Sequence, residues 1–154
     1  MNPHPEVGYR ALRKGRYSAT GNAYLVTTVT DKRIDWFRDS SLASIVARSL
    51  ASADKTFGTR TVCWVVMPDH VHWLMQLGEL TIEKTVNRFK GASARAVNAR
   101  LRRRGRLWFP GFHEHALRRH QNLRMAARYV LANPLRAGLV ARLGDYPFWD
   151  ADWL

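Results

Sequence analysis

The sequence predicts an α+β fold, an antiparallel sheet with helices gathered on its faces. Three features point that way. Segments rich in β-branched and aromatic residues alternate with segments of helical period. Two apolar runs stand back to back across a two-residue break, as the strands of a hairpin do. The resulting order, β-α-β-β-α-β-α, is close to the ferredoxin-like arrangement. With 154 residues, 46% of them hydrophobic, the expectation is one domain with one core over residues 1–154.

The elements follow in order. Residues 1–20 are polar and basic, with Arg10, Arg13, Lys14 and Arg16 close together, and read as an N-terminal arm. Ala23 to Thr30 is β-branched and aromatic, and reads as a strand. Ser40 or Ser41 is placed to cap a helix with apolar positions Leu42, Ile45, Val46 and Leu50. Gly58 falls in the loop after it. Thr61 to Met67 and His70 to Leu77 read as a hairpin around Pro68-Asp69, although Pro-Asp is not a favoured hairpin dipeptide. Thr81 is placed to cap the longest helix, with Ile82, Val86, Phe89, Ala96 and Val97 on its apolar side. An aromatic loop, Leu107 to Phe112, leads to a short strand from His113 to Arg118. Asn122 is placed to cap a last helix that runs to about Asn133, where Pro134 and Gly138 stop it. The tail, 141–154, carries Tyr146, Phe148, Trp149 and Trp153 and is expected to pack back on the domain.

Charge narrows the class of partner. There are 25 Lys and Arg against 12 Asp and Glu, a formal net charge of +13. Such a balance says nothing about fold but favours a polyanion. Arginine dominates, and it makes the bidentate phosphate contacts and base stacking that lysine makes poorly. The competing explanation is a generic basic surface from a GC-rich genome. Lys84, Arg88, Arg95 and Arg102 recur at steps of 4, 7 and 7, in one stripe nearly opposite the apolar face of the long helix. A solvated helix face would look similar, but only Glu83 interrupts the positive charge. Arg102, Arg103, Arg104 and Arg106 then form a basic turn. The single cysteine, Cys63, excludes a disulfide framework or a cysteine zinc site and suits a reduced, buried thiol in a cytoplasmic protein. The N-terminus lacks the apolar core of a signal peptide. No apolar run approaches a membrane span.

The chemistry concentrates in two places. In Met67-Pro68-Asp69-His70-Val71-His72-Trp73-Leu74, His70 and His72 share one strand face with Cα atoms about 6.8 Å apart. They can turn two imidazoles toward one divalent metal, while Val71 faces the other way. A His-x-His pair alone is a weak signal. Downstream, Tyr129 and Asn133 share a helix face, being four apart. Taken alone, Tyr129 is better explained as a tyrosine at the edge of a buried stripe with its hydroxyl hydrogen-bonded. A nucleophilic phenol needs a cation or base to help it. His113-Glu114-His115 is a second His-x-His. If its strand neighbours that of His70 and His72, one of its histidines would approach them; structural or DNA-contacting roles compete with this. Trp73, Trp108 and Phe112 suit either base stacking or the core.

Val66 to Leu74 resembles the HUH motif of single-tyrosine transposases from small bacterial insertion sequences. Tyr129-Val130-Leu131-Ala132-Asn133-Pro134-Leu135-Arg136-Ala137-Gly138-Leu139-Val140 resembles the tyrosine-bearing helix of one branch, the REP-associated tyrosine transposases. Trp108 to Arg118 is similar to the segment between them, except that Phe109 stands where many relatives carry glutamine. The likeness runs from about Tyr24 to Pro147. It implies a single HUH transposase-like domain of ferredoxin-like type in a bacterial, nucleoid-associated protein. It implies metal-dependent nicking and joining of single-stranded DNA at hairpins of repetitive extragenic palindromes. His70 and His72 would be metal ligands, with Asn133 completing the site for Mg²⁺ or Mn²⁺. Tyr129 would form a 5′-phosphotyrosine link and free a 3′-hydroxyl. Lys84, Arg88, Arg95, Arg102, Arg103, Arg104 and Arg106, with Arg13, Lys14 and Arg16 of the arm, are the expected DNA contacts. Monomer and homodimer both stay open. Two other readings compete: a hairpin-binding protein that keeps the fold without catalysis, and a metal-dependent nuclease that uses water.

Overall fold

The computed structural model describes residues 22–117 and 123–152. Arg13, Lys14 and Arg16, the expected cap Asn122, and Trp153 lie outside these. One sheet is described, built from β1 (Ala23–Val29), β2 (Arg60–Met67), β3 (His70–Gln76), β4 (His113–Leu117) and β5 (Trp149–Ala151). The strand order is β4-β1-β3-β2-β5, and every pairing is antiparallel. β3 lies between β1 and β2, and β1 lies between β3 and β4. The connections β1 to β2 and β3 to β4 are therefore two interlocked split β-α-β units, the ferredoxin-like plan expected.

The β2–β3 hairpin closes at the Met67–His70 pair, leaving Pro68 and Asp69 as the loop. Neither loop residue has positive φ. The turn is therefore not of the primed type that favours Asn-Gly. The chain around it holds it instead: the Phe37 amide donates to the Pro68 carbonyl and the Thr30 amide to the Asp69 carbonyl, each at 2.9 Å.

The helices are α1 (Ser40–Ala51), α2 (Ala53–Phe57), α3 (Ile82–Leu101), α4 (Leu123–Leu131) and α5 (Asn133–Arg136). Four expectations need correction. Asp39, not Ser40 or Ser41, caps α1, because its carboxylate accepts from both the amide and the hydroxyl of Ser41. α2 fills what reads as loop, and Gly58, at φ 74°, ends it. On α3, Thr81 caps as expected, but Ala96 is exposed and Ser93 is buried in the core stripe. The Ser93 hydroxyl donates to the Phe89 carbonyl and accepts from the Trp108 indole, which makes the polar residue acceptable there. Pro134 does not stop the last helix. α4 ends at Leu131, and Pro134 sits in the first turn of α5, where its missing N–H costs no helical bond.

Two apolar layers sandwich the sheet. On one face α1 and α3 pack together over Tyr24, Val26, Trp64, Val71 and Trp73. On the other, Ala127, Val130 and Leu131 of α4 pack over Cys63, Val65, Met67 and Leu74. This explains why β2 and β3 read as continuous apolar runs: both of their faces are covered. The described part of the tail lies against the sheet. Tyr146 and Trp149 join the second layer, and β5 pairs with β2. The sequence gives little sign of that strand, since Trp149-Asp150-Ala151 is short and poor in strand formers. None of the described helices is long and apolar enough to cross a membrane.

Candidate active site

Both histidines project from β3 onto the face covered by α4, while Val71 between them lies in the opposite layer. Their ring centroids are 4.9 Å apart with the planes nearly perpendicular. In each ring the Nδ1 atom is already engaged. His70 Nδ1 lies 2.8 Å from Asp69 Oδ1, and His72 Nδ1 lies 2.8 Å from Thr27 Oγ1. Asp69 is held in turn by Arg33, whose Nε donates to Oδ2 at 2.9 Å. Burial pushes the Asp69 carboxyl up, but the bonds from His70 and Arg33 outweigh it and keep it below the usual carboxylate range. An ionised carboxylate only accepts, so His70 donates to it from Nδ1, and Nε2 is the nitrogen turned away from Asp69.

His72 is 9% exposed. Burial, then the charges of His70 and Arg136, push its pKa down to about 3. It is therefore neutral at physiological pH, the form that binds a cation.

Tyr129 stands beside this pair on α4. Its ring centroid is 6.4 Å from that of His72, and at 53% exposure it is open to solvent, not tucked into a core edge. The Arg136 guanidinium lies over the ring at 4.3 Å and also donates to the Tyr129 carbonyl. Asn133 spends its Nδ2 on the carbonyls of Tyr129 and Val130. Its Oδ1 takes no part in those two bonds. Among the described residues no three His, Cys, Asp or Glu gather to form a metal cage. Two imidazole nitrogens and one amide oxygen suit a cation that takes its remaining ligands from phosphate oxygens and water.

The structure separates other expected contacts from this centre. Lys84, Arg88 and Arg95 are exposed on the outer side of α3, and Arg102 at its end is exposed too. α3 covers the sheet face opposite Tyr129, so a sheet and a helix intervene. Arg104 and Arg106 are exposed in the turn, Arg106 with a loose ion pair to Asp31 at 4.0 Å. Arg103 differs: it donates to Asn98 and lies over the Trp36 ring at 4.8 Å, bracing the turn. Trp73, Trp108 and Phe112 are 1%, 4% and 6% exposed, so they belong to the core and are not available to stack on bases.

β4 does not neighbour β3, because β1 runs between them. His113 and His72 both pair with Thr27, which puts them in one cross-strand row, about 10 Å apart. His115 lies in the next row, opposite Leu25, and Glu114 is buried on the other face. Reading the sequence alone misses Thr27, Arg33 and Arg136 and gives Asp69 only a turn role. Asp69 had a signal, its place beside His70. Thr27 had none until the β1–β3 register was known.

Comparison with known proteins identifies the family. The family model described as "Transposase IS200 like" matches residues 18–133. A REP-associated tyrosine transposase of Escherichia coli strain K12 is 30% identical over 87 residues, which is 55% of this chain and 50% of that protein. The chain thus spans about half the length of the curated relative it matches. A REP-associated tyrosine transposase solved with a REP hairpin bound superposes with a TM-score of 0.73 at 23% identity, over 87% of this chain and 79% of that one. A candidate transposase from Deinococcus radiodurans R1 superposes with a TM-score of 0.54 at 26% identity, over 79% of this chain and 96% of that one. The match from residue 18 to residue 133 takes in β1, the histidine pair, the tyrosine and Asn133, and the chain belongs to the IS200-like transposase family.

Proposed function

We propose that this chain nicks and rejoins single-stranded DNA by transesterification, at hairpins of the repetitive extragenic palindrome type. The observation that carries the reading is the meeting of an exposed tyrosine with a histidine pair, at 6.4 Å between the Tyr129 and His72 rings. His70 and His72 would hold Mg²⁺ or Mn²⁺, with Asn133 as a further ligand of the protein. When bound, the cation polarises the scissile phosphate and offsets the charge that develops on it. Tyr129 Oη attacks phosphorus. The Oη–P bond forms as the bond from phosphorus to the 3′-oxygen breaks, which leaves a 5′-phosphotyrosine and a 3′-hydroxyl. Attack by a 3′-hydroxyl reverses the step, so the energy of the ester is conserved for rejoining. Arg136 supplies a fixed positive charge beside the phosphate under attack.

The other described tyrosines are poorly placed for this role. Tyr24 is fully buried. The Tyr146 hydroxyl donates to the Val66 carbonyl, and burial pushes its pKa up to about 12. The test is a hairpin with single-stranded flanks, labelled and incubated with Mn²⁺. The protein should give a denaturation-resistant adduct, and Tyr129→Phe none, with hairpin binding retained. Full cleavage by Tyr129→Phe to free 5′-phosphate ends would show a nuclease that uses water. Binding without cleavage by the unaltered protein would show a non-catalytic hairpin binder.

A further inference from the structure

We propose that Phe109 is a stacking platform for one unpaired DNA base in the flank of the hairpin, close to the scissile phosphate. The proposal rests on the DNA reading above and adds a contact to it.

The loop 107–112 buries its other large side chains, yet Phe109 is 53% exposed while Leu107 and Trp108 are at 1% and 4%. A mobile loop would explain such exposure cheaply, but this loop is anchored. The Phe109 amide donates to the Val29 carbonyl at 2.9 Å. Lys90 Nζ donates to the Phe109 carbonyl at 2.9 Å and to the Gly111 carbonyl at 2.7 Å. Trp108 bridges to Thr30. A rigid, exposed aromatic face loses little conformational entropy when a flat partner lands on it.

Its position suggests what the partner is. Val29, which anchors Phe109, is also the cross-strand partner of His70. Phe109 therefore stands one strand from the histidine pair, at the same end of the sheet. The backbone beside it is strongly cationic. The amide of Asp31 donates to the Leu107 carbonyl, which seats the turn of Lys32 and Arg33 against this loop. Lys32 and Arg33 hold left-handed backbone, φ 59° and 52°, which is uncommon for two successive residues with side chains and recurs where structure serves a site. Both are exposed, Arg33 holding Asp69, and Arg106 comes to the same turn through its loose pair with Asp31. An exposed aromatic face beside a basic turn fits a base with its phosphate, since every base has a π face and cations can take the backbone. A bare protein patch would have no use for that charge.

The experiment uses the full chain carrying Tyr129→Phe, without metal, so that binding is read apart from cleavage. The probe is a DNA hairpin with 2-aminopurine placed in turn at each flanking position. One position should be quenched on binding. Phe109→Ala in the same background should lose that quenching and weaken the hairpin about 5- to 150-fold, the range of one base stack. Phe109→Tyr should keep both, and Phe109→Leu should behave as the alanine variant, since an apolar contact without a ring is not a stack. Equal affinity and equal quenching for Phe109→Ala would overturn the proposal while leaving the DNA reading intact. A parent that binds no hairpin would overturn the DNA reading first, before any variant is compared. Unchanged DNA affinity with a shift to smaller species in sedimentation would reassign Phe109 to contact between copies of the chain.

Discussion

Thr27→Val isolates the support of His72 with little change of shape. It replaces one hydroxyl by a methyl and keeps the branching that suits β1. The bond lost is the 2.8 Å contact between Thr27 Oγ1 and His72 Nδ1. His72 is 9% exposed, so water does not readily replace the hydroxyl. A buried ring nitrogen left without a partner costs about 1–3 kcal/mol of stability. The larger effect falls on the cation. Loss of such an outer hydrogen bond typically lowers metal affinity about 10- to 100-fold, because ring orientation and tautomer are no longer set. Two assays read this directly. Long-range ¹H–¹⁵N spectra report which ring nitrogen carries the proton: His72 should be protonated at Nδ1 in the unaltered protein and mixed in the variant. Titration calorimetry with Mn²⁺ should show the loss of affinity, with Thr27→Ser restoring most of it. An unchanged His72 tautomer together with unchanged Mn²⁺ affinity in Thr27→Val would refute the reasoning.

Two further outcomes follow from charge. Because the His72 pKa is pushed down to about 3, the unfolded chain takes up a proton below pH ~6.5 while the folded chain resists it. The contribution is fully present above that pH and is lost as pH falls toward the folded value, with a ceiling of about 5 kcal/mol. Urea denaturation between pH 7 and pH 4 should show the decline, and His72→Gln should flatten it; an equal slope in both would show that other groups drive acid unfolding. Hairpin affinity should fall with salt at a slope of about −0.7 per phosphate neutralised. Lys84→Gln with Arg88→Gln should reduce that slope and leave Mn²⁺ affinity unchanged, since both lie on the far side of the sheet from the histidines; an unaltered slope would make the α3 stripe a solvated face.

What was legible in the sequence depended on separation along the chain. His70 and His72 are related by one period of a strand, so local geometry sufficed to align them, whereas Asn133, read on the helix of Tyr129, opens the next helix and reaches back only through its side chain. The hairpin was legible for the same reason. The bonds that orient the histidines join residues 45 apart for Thr27 and His72, and 36 apart for Arg33 and Asp69. No periodicity relates such positions; only the register of β1 on β3 brings them together. The cationic stripe shows the converse. Its spacing correctly placed Lys84, Arg88 and Arg95 on one exposed face, but spacing along a helix carries no information about which side of the sheet that helix covers. Phe109 was ambiguous by composition, since Trp108 and Phe112 beside it look alike in sequence and turn inward. The loop is anchored by Lys90 and β1 with Leu107, Trp108 and Phe112 turned into the core and Phe109 turned out. An aromatic residue that the packing excludes, held rigidly one strand from the histidines, has a physical basis for a role outside the core.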